Sequence, residues 1–267
     1  LLGMLCFGFA FLYIPIILMM VYSFNYSKLV PVWGGFSTRW YTTLFQSEEV
    51  WNATALSLKI ALLNATFATM LGTLAGIALA RIHRFRGRTL FTGMISAPLV
   101  MPEVITGLSL LLLFITLNQA IGWPANRGIT TITIAHITFS MAFVAIIIQS
   151  RLAGTGQDLE EAALDLGAKP FRVLWDITLP QLAPGMVAGW LLSFTLSLDD
   201  LVIASFVSGP GATTLPMLIY SRIRLGLRPD INALATIIIL TVTVGVLIAG
   251  FIMIRQQRAA ERDAAIQ

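Results

Sequence analysis

The chain has 267 residues, 57% of them hydrophobic and only 11% charged, with a mean hydropathy of +0.84. A soluble domain carries about twice that charged fraction, so composition excludes an ordinary soluble globule and predicts an all-α protein that crosses a membrane several times. The single cysteine, Cys6, excludes a disulfide framework within the chain, and a net charge of +4 gathered at the ends of apolar runs follows from membrane topology without invoking nucleic acid.

Apolar runs of about 20 residues, the length that crosses a bilayer, predict six transmembrane helices. They cover residues 1–24, 53–80, 90–117, 130–150, 184–204 and 231–254. The first begins at Leu1 without Met or a basic leader, which predicts a short cytoplasmic piece ahead of it. It is too long for a signal-peptide core and has no small-residue cleavage site, so it reads as a span. The second carries Lys59 and ends in the basic stretch RIHRFRGR. The third contains Pro98 and Pro102, expected to break or kink it, followed directly by Glu103. The fourth holds His136; with His83 and Cys6 far away in sequence, a metal site is not expected. The fifth is interrupted by SLDDL, with Asp199 and Asp200, and GLRPD before the sixth reads as a turn. With the N-terminus inside, ten Lys and Arg fall in inner loops and six in outer loops. That bias predicts both termini in the cytoplasm, although Arg222, Arg224 and Arg228 run against it. Trp33, Trp40, Trp51 and Trp123 all fall on the outer side, where an aromatic belt would place them.

The charged segment 152–180 then lies on the cytoplasmic side. Asp158 followed by Glu161 reads as a capping box, and Leu159, Ala162, Ala163 and Leu166 form one apolar face of a short helix. Gly167 is a natural helix stop. Pro170 can open a second short helix with Phe171, Leu174, Trp175 and Thr178 on one side, ended by Leu179–Pro180. Acidic residues make a lipid surface a poor partner for this pair, and a protein partner fits better.

Glu161-Ala162-Ala163, then Gly167, then Ile177-x-Leu179-Pro180, resembles the EAA loop of ABC importer permeases at every spaced position. That resemblance implies a type I importer permease fold formed as one domain over residues 1–267, in a bacterial cytoplasmic (inner) membrane. It also implies that Glu161, Ala162, Ala163, Gly167, Ile177, Leu179 and Pro180 belong to a coupling segment that docks on a cytoplasmic ATPase. The plainer reading, a capped helix and its stop, is compatible with docking. No G-x-x-x-x-G-K-[ST] occurs, so the chain cannot cradle ATP in a P-loop of its own. It is not expected to be an enzyme or to bind a cofactor, and ATP would be used by a separate subunit. The stretches PLVMPEVITGLSLLLLF and FTLSLDDLVIASFVSGPGATTLPMLIY are similar to the polyamine branch of the family, the putrescine and spermidine permeases. The partners so implied are a second permease, two ATPase subunits and an extracytoplasmic binding protein.

The residues themselves point the same way. An ionisable side chain inside a span costs ~2.5–3.5 kcal/mol on insertion scales and is by default a functional candidate. Glu103, Asp199 and Asp200 are expected at similar depth and could replace the water shell of a polycation. A pair with Lys59 would account for one of the three. Ser193, Ser197, Asp200, Ala204 and Ser208 form a small polar stripe that suits either a pore or close helix packing. A permease of the same fold for another small cationic solute is the alternative. An intramembrane enzyme lacks supporting motifs, and a channel has no use for a docking loop.

Overall fold

The computed structural model describes residues 2–28, 32–82, 84–225 and 229–264. His83 and Arg228, expected in an inner and an outer loop, lie outside the described residues, as do the side chains of Arg255, Arg258 and Arg262. The described chain is helical. In order come α1 (Leu2–Tyr22), α2 (Arg39–Phe45), α3 (Glu48–Arg81), α4 (Arg88–Val100), α5 (Glu103–Ile121), α6 (Ile129–Ala153) and α7 (Asp158–Asp165). Then follow α8 (Pro170–Val173), a π-helical turn (Leu174–Thr178), α9 (Leu179–Asp199), α10 (Val202–Val207), α11 (Leu215–Arg224) and α12 (Pro229–Ala264).

Five described helices are long and apolar enough to cross a bilayer: Gly3–Tyr22, Glu48–Arg81, Glu103–Ile121, Ile129–Ala153 and Pro170–Asp199. This corrects the expectation of six. Residues 231–254, expected as the sixth, lie within α12, whose apolar described stretch is Pro229–Gly245. The helix itself runs on to Ala264, and the sequence turns charged from Arg255 onward.

Two other expected spans change shape. The run 90–117 divides into α4 and α5 at Met101–Pro102. Proline has no N–H and pushes the residue before it out of the helical region; Met101 accordingly takes φ −78° and ψ 137°. The expected break therefore falls at Pro102, while Pro98 stays inside α4. The run 184–204 instead starts at Pro170 and stops at Asp199. Pro180 does not end a short helix, as expected, because the turn before it widens. Leu179 N–H donates to Leu174 O, a π-type bond that makes room for the proline ring.

Contacts divide the chain into two compact units, Leu1–Trp51 with Ile219–Gln267, and Asn52–Leu218. In the first, α1 and α2 lie against α12, and Arg222 bridges Glu49 at 2.7 Å and Asp230 at 3.0 Å. The second holds every candidate residue named above. Its centre is α6, which packs on α9, α4 and α10. Lipid is as apolar as leucine, so helices associate by close packing and buried hydrogen bonds. A Cβ on Gly72 of α3 would come within 2.6 Å of Val144 Cβ, and one on Gly76 within 2.8 Å of Ala145 O. Only glycine admits so close an approach. Asn64 of α3 then ties the core together, donating to Ser140 Oγ on α6 at 3.1 Å and to Ser193 O on α9 at 2.7 Å.

Candidate functional site

The coupling candidate is built on α7. Its N-cap is Gln157, whose carbonyl accepts Glu161 N–H at 2.9 Å. The expected capping box is thereby corrected: Asp158 is already the first helical residue, and no side chain caps this end. The other end is as expected. Gly167 takes φ +85°, a region L side chains avoid, which lets its N–H reach Leu164 O (2.9 Å) and Ala168 N–H reach Ala163 O (3.0 Å).

Glu161 and Ala162 are exposed, and Ala163 is half-buried. The anchor is instead the preceding residue, Glu160, which sequence reasoning passed over. Its Oε1 accepts from Arg81 Nη2 at 3.1 Å and from Thr178 Oγ1 at 3.0 Å, and its Oε2 lies 3.1 Å from Arg81 Nε. One carboxylate thus joins α7 to the last residue of α3 and to the π turn that opens the long helix 170–199. Ile177 lies in that turn and Leu179–Pro180 directly follow it. Most of the predicted apolar face looks away from the chain: Leu159 is 62% exposed and Leu166 89%, with Phe171 at 70% and Trp175 at 57% beside them. Phe171 and Trp175 pack edge to face, 6.2 Å between centroids.

The intramembrane carboxylates occupy the two helix breaks. Glu103 is the first residue of α5 and is exposed. Asp199 is the last residue of α9 and is exposed; Asp200, half-buried, is the first beyond it. The breaks lie near one another. Gly107, one turn after Glu103, sits against Ile203, one turn after Asp199, with its Cβ direction 3.3 Å from Ile203 Cα. Among the described residues Lys59, which is exposed, makes no ion pair with any of the three. The polar stripe packs rather than lines an opening: Ser193, Ser197 and Ala204 are buried.

Sequence reasoning also missed His136. Its ring lies 2.7 Å from Ser197 Oγ and 3.0 Å from Asp200 Oδ2. The rule that flagged the acidic residues, an ionisable group inside a span, applied equally to it. These residue types also make hydrolase triads, but Ser197 is buried between helices.

Several membrane-length helices, two of them broken, and a short exposed helix anchored by Glu160 are features that suit a transport permease. The chain belongs to the family of binding-protein-dependent transport system inner membrane components, matched over residues 72–262. It is a multi-pass inner-membrane protein and a transport permease without a catalytic domain. Among its relatives are the putrescine transport system permease protein PotI of Escherichia coli K12, 57% identical over 256 residues (96% of this chain, 91% of that one), and the spermidine/putrescine transport system permease protein PotC of the same strain, 43% identical over 231 residues (86% and 85%). Its fold matches a crystal structure of a bacterial ABC transporter that imports the acidic polysaccharide alginate, with TM-score 0.70 and 15% identity over 94% of this chain and 93% of that one. The MetNI methionine ABC transporter in an inward-facing conformation matches with TM-score 0.63 and 15% identity over 79% and 98%.

Proposed function

We propose that this chain is the permease subunit of an ATP-driven importer that brings polyamines of the putrescine and spermidine class into the cytoplasm. It works with a second permease subunit, two cytoplasmic ATPase subunits and an extracytoplasmic binding protein. The observation that carries the coupling role is the outward apolar face of α7, set beside Phe171 and Trp175 while Glu160 ties the helix inward. A helix that only closed a loop would turn Leu159 and Leu166 toward its own chain. Here they are free for a partner, and any pull on α7 passes through Glu160 into α3 and into the helix 170–199.

The solute class is supported by the names of the relatives and by charge. Glu103 and Asp199 present carboxylates at neighbouring helix breaks, and a polycation leaving water needs such groups to replace its hydration. An acidic solute would meet repulsion there.

Two substitutions test the docking role. Glu161→Lys reverses the exposed charge on α7, and Gly167→Pro forbids the positive φ that ends it. Both variants are expected to insert normally, to lose co-purification with the ATPase and to abolish uptake. Normal uptake by both would show that α7 does not couple.

A further inference from the structure

The break between α9 and α10 is closed by a side chain from a third helix. His136 of α6 is 3% exposed, with one ring nitrogen on each side of the break. Nδ1 meets Ser197 Oγ in the last turn of α9, and Nε2 meets Asp200 Oδ2 beyond it. A neutral ring carrying its proton on Nε2 satisfies the set: Nε2–H donates to the carboxylate, and the serine hydroxyl donates to Nδ1. The same carboxylate accepts the N–H groups of Ala204 (Oδ2, 2.7 Å) and Ile203 (Oδ1, 3.3 Å), otherwise unpaired at the start of α10. At the far end of α10, Val207 O accepts from Thr131 Oγ1 of α6 at 2.7 Å. Both ends of this short helix are thus tied to α6.

We propose that His136 is a positioning residue: through Ser197 and Asp200 it latches the broken ends of α9 and α10, which makes Asp200 a structural cap and leaves Asp199 as the aspartate that meets the solute. The second half of this statement rests on the carboxylate path proposed above. A solute ammonium reaching Asp200 would have to displace three donors, one of them a buried imidazole. Asp199, about 100° further round the helix, is exposed and carries no such load.

The test is uptake of radiolabelled putrescine by cells carrying the complete importer, with KM and maximal rate measured separately and corrected for membrane abundance. The melting temperature of the purified importer is measured beside it. Asp199→Asn removes a charge that the solute meets, and is expected to raise KM at least about tenfold without changing the melting temperature. Asp200→Asn keeps an oxygen for His136 and Ala204, and is expected to change KM by less than about twofold. Asp200→Ala and His136→Leu are each expected to lower the maximal rate and the melting temperature, and together to do no more than the stronger of the two. His136→Gln, whose amide both donates and accepts, is expected to recover most of the loss.

A tenfold rise in KM for Asp200→Asn would overturn the latch, as would a silent His136→Leu or additive losses in the double variant. If Asp199→Asn is silent while the other variants behave as stated, the carboxylate path is overturned and the latch stands. If the parent takes up no putrescine, the solute assignment falls, and the melting temperatures alone decide the latch.

Discussion

Neighbouring acidic residues do different work in this chain, and twice the sequence shows the pair without the division of labour. Glu160 and Glu161 stand about 100° apart on α7; one is held by Arg81 and Thr178, the other faces outward. A motif anchored on Glu161 draws attention to the exposed member. The partner of Glu160 lies far back in the chain at Arg81, a separation no local spacing reveals. Asp199 and Asp200 repeat the pattern, with His136 as the distant partner. Two substitutions follow. Glu160→Gln keeps the shape and removes the charge that faces Arg81, and charge-assisted bonds of this kind contribute ~1.5–3 kcal/mol. Protease cleavage in 154–169 is expected to rise severalfold in that variant, with coupled uptake reduced; unchanged cleavage would show that Glu160 is not the anchor. Glu103→Gln is expected to raise the KM for putrescine at least about tenfold while leaving ATPase docking intact. Uptake kinetics like those of the parent would remove Glu103 from the solute path.

At the scale of elements, apolar length located three spans well, 1–24, 53–80 and 130–150, because burial in lipid imposes it directly. The break at Met101–Pro102 was legible too, since proline's missing N–H acts locally. The π turn was not: Pro180 looks like a stop, and only the widened turn ending at Leu179 lets the helix continue. The sixth expected span is not among the five long apolar helices; its residues lie within α12, whose apolar described stretch is Pro229–Gly245. Close helix contact is the other feature that composition hides. Gly72→Val or Gly76→Val places a Cβ inside α6, and overpacking of this kind costs typically 1–3 kcal/mol. Both are expected to lower the melting temperature of the purified importer by several degrees. Gly93→Ala, where a Cβ meets nothing within 4 Å, serves as the comparison and is expected to stay close to the parent. Equal melting temperatures for all three would show that the α3–α6 approach is looser than described.

At the scale of the molecule, the segment proposed to dock and one of the helix breaks are joined by a single helix. Residues 170–199 run without interruption from beside α7 to Asp199, about 45 Å at 1.5 Å per residue. In the proposed mechanism a displacement of α7 enters that helix through Glu160 and Thr178 and reaches the carboxylate at its other end, where His136 holds the break to α6. The central claim is that this lever serves polycation import. The most direct measurement is uptake of radiolabelled putrescine by cells deleted for this chain and complemented with it, in competition with unlabelled putrescine, spermidine and unrelated cations. Uptake restored by the chain and suppressed by both polyamines, but not by the other cations, is the predicted result. Uptake that is independent of the chain, or that unrelated cations suppress equally, would contradict the polyamine assignment.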